Sequence, residues 1–152
     1  MRVSLEFPEP PLFTYTTAVR ITDLSTGLHL GFDKLVSILH DAAAGFLSEL
    51  GIHIDRPEGP KIIFADLAVQ FLGEAFWHDS LQIHISASGD GSKGLALYFR
   101  VAGRGQAQPV ALAKIGAVFF DYTARKAMPM PAAAAERLAQ MNQSANERNQ
   151  YA

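Results

Sequence analysis

The stretch DKLVSILHDAAAGFLSELG, residues 33–51, decides the fold. Apolar side chains recur in it at the spacing of an α-helix, at Leu35, Ile38, Leu39, Ala42, Phe46 and Leu50. Asp33 can cap the start and Gly51 is a stop signal, so we predict a helix from Lys34 to about Leu50. Because its polar positions are few and small, this helix is expected to be buried on most of its sides.

Strand patterns lie on both sides of this helix. Before it, Leu12 to Asp23 is rich in Thr, Tyr, Val and Ile, which predicts a strand, and Leu24 to Phe32 has the composition of a loop. After it, four more strands are predicted, at Lys61–Leu72, Asp79–Ser88, Leu95–Ala102 and Val110–Tyr122. Their short connections predict an antiparallel meander.

The two ends of the chain differ from this middle. Three prolines within residues 1–11 predict an extended arm. Pro129 and Pro131 end the sheet, and Ala132 to about Met141 has the pattern of a short helix. Residues 142–152 are polar, and we expect a frayed tail. No linker divides the chain, so a single domain, 1–152, is predicted.

The composition excludes several functional classes. Of the 152 residues, 49% are hydrophobic and 18% charged, which suits a chain with a full core. The net charge of −2 leaves no basic excess for nucleic acid, and the absence of cysteine excludes disulfide scaffolds, thiolate metal sites and cysteine nucleophiles. No apolar run is long enough to span a bilayer, and the first residues lack the apolar core of a secretion signal. We therefore expect a cytoplasmic protein without membrane or nucleic-acid partners.

The order of elements predicts an α+β fold and self-association. One helix cannot cover both faces of a sheet of five strands, but a curved sheet can wrap around it on its concave face. The outer face and the sheet edges would still carry Phe, Val and Ile, which favours pairing with a second copy.

Three segments together resemble the hot-dog thioesterase superfamily, and in particular its 4-hydroxybenzoyl-CoA thioesterase-like members. VRITDLSTGLHLGFDKLVSILHDA (19–42) resembles the family signature, with Arg20, Asp23, His29, Gly31, Asp41 and Ala42 in register. FADLAVQFLGEAFWHDSLQIHI (64–85) resembles its second and third strands, and VALAKIGAVFFDYTARKAMPMP (110–131) resembles its last strand and exit.

This resemblance implies a hot-dog fold, with a curved antiparallel sheet of five or six strands around one long central helix. It also implies hydrolysis of acyl-CoA or acyl-carrier thioesters by a homodimer or homotetramer with sites at the subunit interface. Coenzyme A would enter as part of the substrate, with no separate cofactor.

The sequence departs from the family in the loop before the helix. Ser25 occupies the position where the family usually has its catalytic carboxylate. Leu28 stands where a glycine usually precedes His29, and Gly31 and Phe32 replace the asparagines often found there. The fold expectation is unaffected, but the usual chemistry does not carry over intact.

This loop supplies the candidate catalytic residues. Thioester hydrolysis needs an activated water and a stabilised carbonyl oxygen. We predict that His29 positions or deprotonates the water, that Asp23 orients the imidazole, and that Ser25 hydrogen-bonds the water or the carbonyl. A serine nucleophile would need His29 within hydrogen-bond reach. Backbone N–H groups at the helix start can polarise the substrate carbonyl, at Gly31, Phe32 or Asp33.

Each of these residues also has a structural role open to it. Asp23 and Ser25 can be turn residues, Asp33 an N-cap, and His29 a cap or surface residue. Asp41, in mid-helix, is a second-choice carboxylate with a favoured structural role. His84 is expected on the polar face of its strand, and His78 and Asp79 are expected in a turn. For His40 and His53 the sequence identifies no catalytic partner. No histidine pair has the spacing of a metal site, so none is predicted.

Aromatic and basic side chains could contact the two ends of an acyl-CoA. The aromatic candidates for an acyl pocket, although such residues are more often part of the core or a subunit interface, are Phe32, Phe46, Phe71, Phe76 and Trp77. The basic candidates for the coenzyme A phosphates, among which the sequence does not choose, are Lys93, Arg100, Arg104, Lys114, Arg125 and Lys126.

Two other functions stay open. Enoyl-CoA hydratases share the fold, but their signature places an Asp five residues before a His with an Asn-Pro between them. Here Asp23 is six residues before His29 and the Asn-Pro is absent. A non-catalytic acyl-CoA-binding or scaffold protein is the other alternative, and Ser25 favours it.

Overall fold

The predicted order of one strand, one long helix and four strands is confirmed in the computed structural model, which describes residues 2–152. Met1 of the predicted arm lies outside the described residues. The elements are β1 (Phe13–Ala18), a 3-10 helix (Ile21–Asp23), α1 (Phe32–Glu49), β2 (Ile62–Phe71), β3 (Ser80–Asp90), β4 (Gly94–Gly103), β5 (Ala111–Asp121), β6 (Lys126–Ala127) and α2 (Ala132–Gln150).

The strands form one antiparallel sheet in the order β1-β3-β4-β5-β2, and the two-residue β6 pairs with β5. β3, β4 and β5 are joined by short connections, as expected for a meander. The chain reaches β2 after α1, so β1 and β2 form the two edges of the five-strand path. This is the predicted hot-dog arrangement, in which the helix lies across the sheet.

α1 supplies the centre of the core. Its sheet-facing side chains, including Leu35, Leu39 and Phe46, are fully buried. Ile83 and Ile85 of β3 are buried as well, while the residues that alternate with them face the other side, as predicted. Truncating one such core side chain to alanine typically costs ~2–5 kcal/mol of unfolding free energy.

Two predicted boundaries at the start of the fold are wrong. The first strand ends at Ala18 instead of Asp23, because the Asp23 carboxylate accepts a hydrogen bond from the backbone N–H of Arg20 and closes a turn. α1 begins at Phe32 and its N-cap residue is Gly31, with extended backbone and no side-chain cap. Asp33 therefore lies in the first turn of the helix and is not its N-cap.

The predicted short C-terminal helix and frayed tail are also wrong. α2 continues to Gln150 and buries Leu138, Met141 and Ala145 along one face. Arg137, on the same helix, hydrogen-bonds the backbone oxygen of Glu49 at 3.4 Å. These contacts hold an otherwise polar segment in helical form.

Residues 2–12 have no regular secondary structure and cross the outer face of the sheet, in contact with β2 and β4. The Leu5 N–H donates to the side chain of Gln70 on β2 at 3.0 Å. Glu9 pairs with Arg100 on β4, and the Arg100 guanidinium lies 4.6 Å from the ring centre of Phe7. Within residues 2–152, no helix is long and apolar enough to cross a membrane.

Candidate active site

A tight turn between the 3-10 helix and α1 presents the candidate residues. The Ser25 N–H donates to the His29 carbonyl at 2.8 Å, and the Leu28 N–H donates to the Ser25 carbonyl at 3.0 Å. Leu28 has a φ of 62°, in the left-handed region that favours glycine. Leu28 therefore has the left-handed backbone conformation that glycine adopts without strain, and its side chain is 72% exposed.

The hydroxyl of Ser25 serves the turn itself. Its Oγ donates to the backbone oxygen of His29 at 3.2 Å and accepts from the N–H of Gly27 at 3.3 Å. Within the described chain, residues 2–152, no hydrogen bond joins Ser25 Oγ to the His29 ring. The geometry therefore gives no support to a serine nucleophile activated by His29.

Asp23 anchors the start of the loop through Arg20. Its carboxylate, in a residue that is 1% exposed, accepts hydrogen bonds from Arg20 Nε at 3.2 Å and Nη2 at 3.1 Å. Burial alone would raise the pKa of Asp23, but the side-chain and backbone hydrogen bonds from Arg20 outweigh it and hold the pKa below its ordinary value. The structure thus shows the Asp23 carboxylate engaged by Arg20, and its predicted role in orienting His29 stays a prediction.

His29 is oriented by the backbone instead. Its Nδ1 lies 3.2 Å from the Leu30 carbonyl, which favours a proton on Nδ1 and leaves the lone pair of Nε2 free. The Nε2 atom lies 4.0 Å from Oε1 of Glu74. The side chain of His29 is 37% exposed, so a substrate or water can reach the ring.

The start of α1 offers backbone donors without helical acceptors beside this loop. The N–H of Gly31 already donates to the Asp23 carbonyl at 2.9 Å, so the predicted role of Gly31 in binding a substrate carbonyl stays a prediction and is not carried by a free N–H. The N–H groups of Phe32 and Asp33 belong to the first turn, where no helical acceptor exists, and no side chain caps the helix. The helix dipole adds partial positive charge at this point.

The remaining predicted carboxylate and histidines have other partners. Asp41 accepts a hydrogen bond from the hydroxyl of Tyr15, and this bond raises the pKa of Tyr15. His84 lies on the polar face of β3, as predicted, with Nδ1 3.1 Å from Oγ1 of Thr14. The ring of His40 meets Phe64 edge-on, at 5.4 Å between ring centres.

The turn predicted at His78 and Asp79 is present. His78 has a φ of 70° and stacks on Trp77 at 4.2 Å between ring centres. The carboxylate of Asp79 accepts a hydrogen bond from the N–H of Phe76 at 2.7 Å.

His53 lies in the connection after α1, where its backbone oxygen accepts a hydrogen bond from Lys61 Nζ at 2.8 Å.

A groove of about 470 Å³ lies between α1 and β2. Val36 lines it from the helix, one turn after Phe32, and Phe64, Leu67 and Ile115 line it from the sheet. The groove is thus close to the start of α1, and its apolar side chains suit an acyl group, although Ser37, His40 and Asp66 also line it.

The aromatic candidates divide into two groups. Phe46 is fully buried and packs against Phe13, with 5.9 Å between ring centres, so it is a core residue. The other four are exposed by about half or more, namely Phe32, Phe71, Phe76 and Trp77. Among the basic candidates, Arg100 is engaged by the N-terminal arm through Glu9.

Solved structures with the same fold include several CoA thioesterases. A 1,4-dihydroxy-2-naphthoyl-CoA thioesterase from Synechocystis superposes with a TM-score of 0.77 at 17% identity, over 86% of this chain and 97% of that one. The gentisyl-coenzyme A thioesterase BH1999 gives 0.70 at 18% identity, over 81% and 99%. A Staphylococcus aureus protein, SAV2348, in complex with CoA, gives 0.80 at 13% identity, over 92% and 89%.

No curated protein sequence is significantly similar to the chain. The family model of the thioesterase-like superfamily, however, matches residues 19–138, which include the turn, all of α1 and every strand from β2 to β6. The uncapped helix start and the central helix lie within this match. The chain therefore belongs to the thioesterase-like superfamily.

Proposed function

We propose that the chain hydrolyses acyl-CoA thioesters at the start of α1. The observation that carries this proposal is the pairing of an uncapped helix start with the free Nε2 of His29, in a member of the thioesterase-like superfamily. The names of two solved neighbours, and the CoA bound to a third, support coenzyme A as the carrier. No separate cofactor is proposed.

In this mechanism the thioester carbonyl lies against the N–H groups of Phe32 and Asp33, where negative charge develops on its oxygen. Removing one such donor typically costs about 10²–10³ in rate. His29 orients and deprotonates the attacking water, a contribution of about 10²–10⁴. Ser25 and Asp23 position the turn, and the groove along Phe64 and Leu67 receives the acyl group.

We further propose that the working form is a homo-oligomer with the site at the subunit interface, joined through β2. β2 is a ten-residue edge strand with one side unpaired in the subunit. It exposes Ile63, Phe64, Leu67 and Phe71, whereas the other edge, β1, has only six residues and carries three threonines. A long apolar edge is a template for pairing with another strand.

Free thiol release from short-chain, long-chain and aromatic acyl-CoA esters tests the proposed reaction. We expect release from at least one class of ester by the purified protein. Tight binding of acyl-CoA by calorimetry without any thiol release would instead establish the non-catalytic alternative. That alternative is favoured by Ser25, which replaces the usual carboxylate and is engaged in the turn.

A further inference from the structure

Two hydrogen bonds to backbone oxygens fix the segment that carries Glu74 beside His29. It lies in the connection between β2 and β3, where the N–H of Leu30 donates to the carbonyl of Ala75 at 2.8 Å. The side chain of Gln106 donates to the backbone oxygen of Glu74 at 3.1 Å. The segment that carries Glu74 is thus tied to the loop that carries His29.

The distance between the two side chains is suited to a bridging water. Oε1 of Glu74 and Nε2 of His29 are 4.0 Å apart, which is too far for a direct hydrogen bond. With the His29 proton on Nδ1, the tautomer that the Leu30 carbonyl favours, Nε2 is an acceptor, as is an oxygen of an ionised carboxylate. A water about 2.8 Å from each atom would donate one hydrogen to each of them.

Both side chains are open to solvent, at 63% exposed for Glu74 and 37% for His29. We propose that Glu74 is a catalytic carboxylate of this site, which together with His29 holds the attacking water. This inference rests on the proposed thioester hydrolysis. Glu74, in the β2–β3 connection, would then supply the carboxylate that is missing from the loop, where Ser25 takes the usual position of that group.

The step conserves atoms and charge. The water oxygen bonds to the thioester carbonyl carbon while one proton passes to Nε2 of His29, and Glu74 stabilises the resulting imidazolium. The tetrahedral intermediate then collapses, the carbon–sulfur bond breaks, and the leaving thiolate takes the proton from His29. The products are one carboxylic acid and one free thiol.

The Glu74→Gln variant tests this role, because it keeps the size of the side chain and removes its charge. We expect kcat for thiol release to fall by about 10² or more, with KM within about twofold and an unchanged melting temperature. Glu74→Asp, which keeps a carboxylate, should be more active than Glu74→Gln. Glu136→Gln, on the exposed surface of α2, is the matched control and should behave as the wild type.

Three results would overturn the inference. An active wild type with Glu74→Gln within twofold in kcat would refute the role of Glu74 and leave the proposed function intact. Loss of activity together with a lower melting temperature, not relieved in Glu74→Asp, would assign Glu74 a structural role. A wild type without thiol release on any ester would refute the proposed function and this inference with it.

Discussion

The Nε2 atom of His29 lies 2.7 Å from the point where a Cβ on Gly27 would stand, and Cδ2 of the same ring lies 2.9 Å from it. Real Cβ atoms do not approach other atoms so closely. The imidazole therefore occupies the space that any side chain at Gly27 would need. Glycine at this position allows the ring to lie against the turn and face Glu74.

We predict that Gly27→Ala lowers kcat for thiol release by about 10–10², because the added methyl group displaces the His29 ring. Folding should be little affected, since Gly27 does not have a positive φ and the ring can move into solvent. Gly89→Ala is the matched control, because nothing lies within 4 Å of its added Cβ. Equal kcat values in the two variants would contradict the prediction.

Asp23→Asn should destabilise the protein at neutral pH by about 1–3 kcal/mol, because the buried Asp23 carboxylate loses its charge-assisted contact with the largely exposed Arg20. The pKa of Asp23 is lowered in the folded state, so its contribution is present above the ordinary value of about 3.9 and is lost as pH falls through the folded value. The variant should show a weaker loss of stability below about pH 4.

Urea unfolding at pH 7 and across the acid range measures this effect. The control is Asp55→Asn, at an exposed position in the connection between α1 and β2. If Asp23→Asn and Asp55→Asn had the same stability at pH 7, the anchoring role of Asp23 would be wrong.

His84 should make the fold less stable in mild acid. Burial and the nearby charge of Arg100 lower the pKa of His84, against an opposing effect of Glu9. The folded state therefore resists protonation, and stability falls as pH drops from about 6.5 through the folded pKa of this histidine. We predict a smaller decrease in unfolding free energy between pH 7 and 5 for His84→Gln.

Chemical unfolding at the two pH values gives this difference directly. Ser88→Gln, an exposed change on the same strand, controls for effects that do not involve a titrating group. An identical pH dependence in wild type and His84→Gln would be inconsistent with a lowered pKa.

Leu67→Lys should dissociate the proposed oligomer. Leu67 is 45% exposed on the edge strand β2, and a charge there would oppose pairing with a second copy. Val3→Lys, at a position 43% exposed on the N-terminal arm, is the control. In sedimentation velocity we expect a smaller species for Leu67→Lys alone. A wild type that sediments as a monomer, or a Leu67→Lys variant of unchanged size, would exclude β2 as the interface.

Most of the fold was predictable because its elements carry local patterns. The apolar spacing of α1 and the alternation in β3 indicate their elements without any tertiary information. The extension of α2 was not predicted, because Met141 and Ala145 lie in a polar stretch of sequence. These two side chains are buried only by contact with the rest of the molecule. The 3-10 turn likewise depends on the Asp23 carboxylate, which accepts the backbone N–H of Arg20.

The candidate site was predictable in part for a similar reason. The loop and the helix start are contiguous in sequence, so His29, Phe32 and Asp33 could be found from their order. Glu74 is 45 positions from His29, and only the packing of the β2–β3 connection against the loop brings the two together. The partner of Asp23 was not predicted from the sequence, although Arg20 is only three positions away and forms a charge-assisted contact with its carboxylate.

The most direct test of the account is the rate of thiol release by His29→Gln on the best acyl-CoA ester found for the wild type. His53→Gln, in the loop after α1, is the control. We predict a loss of kcat of about 10²–10⁴ for His29→Gln and wild-type activity for His53→Gln. A wild type that releases thiol, with His29→Gln as active as His53→Gln, would contradict a reaction centred on His29 at the start of α1.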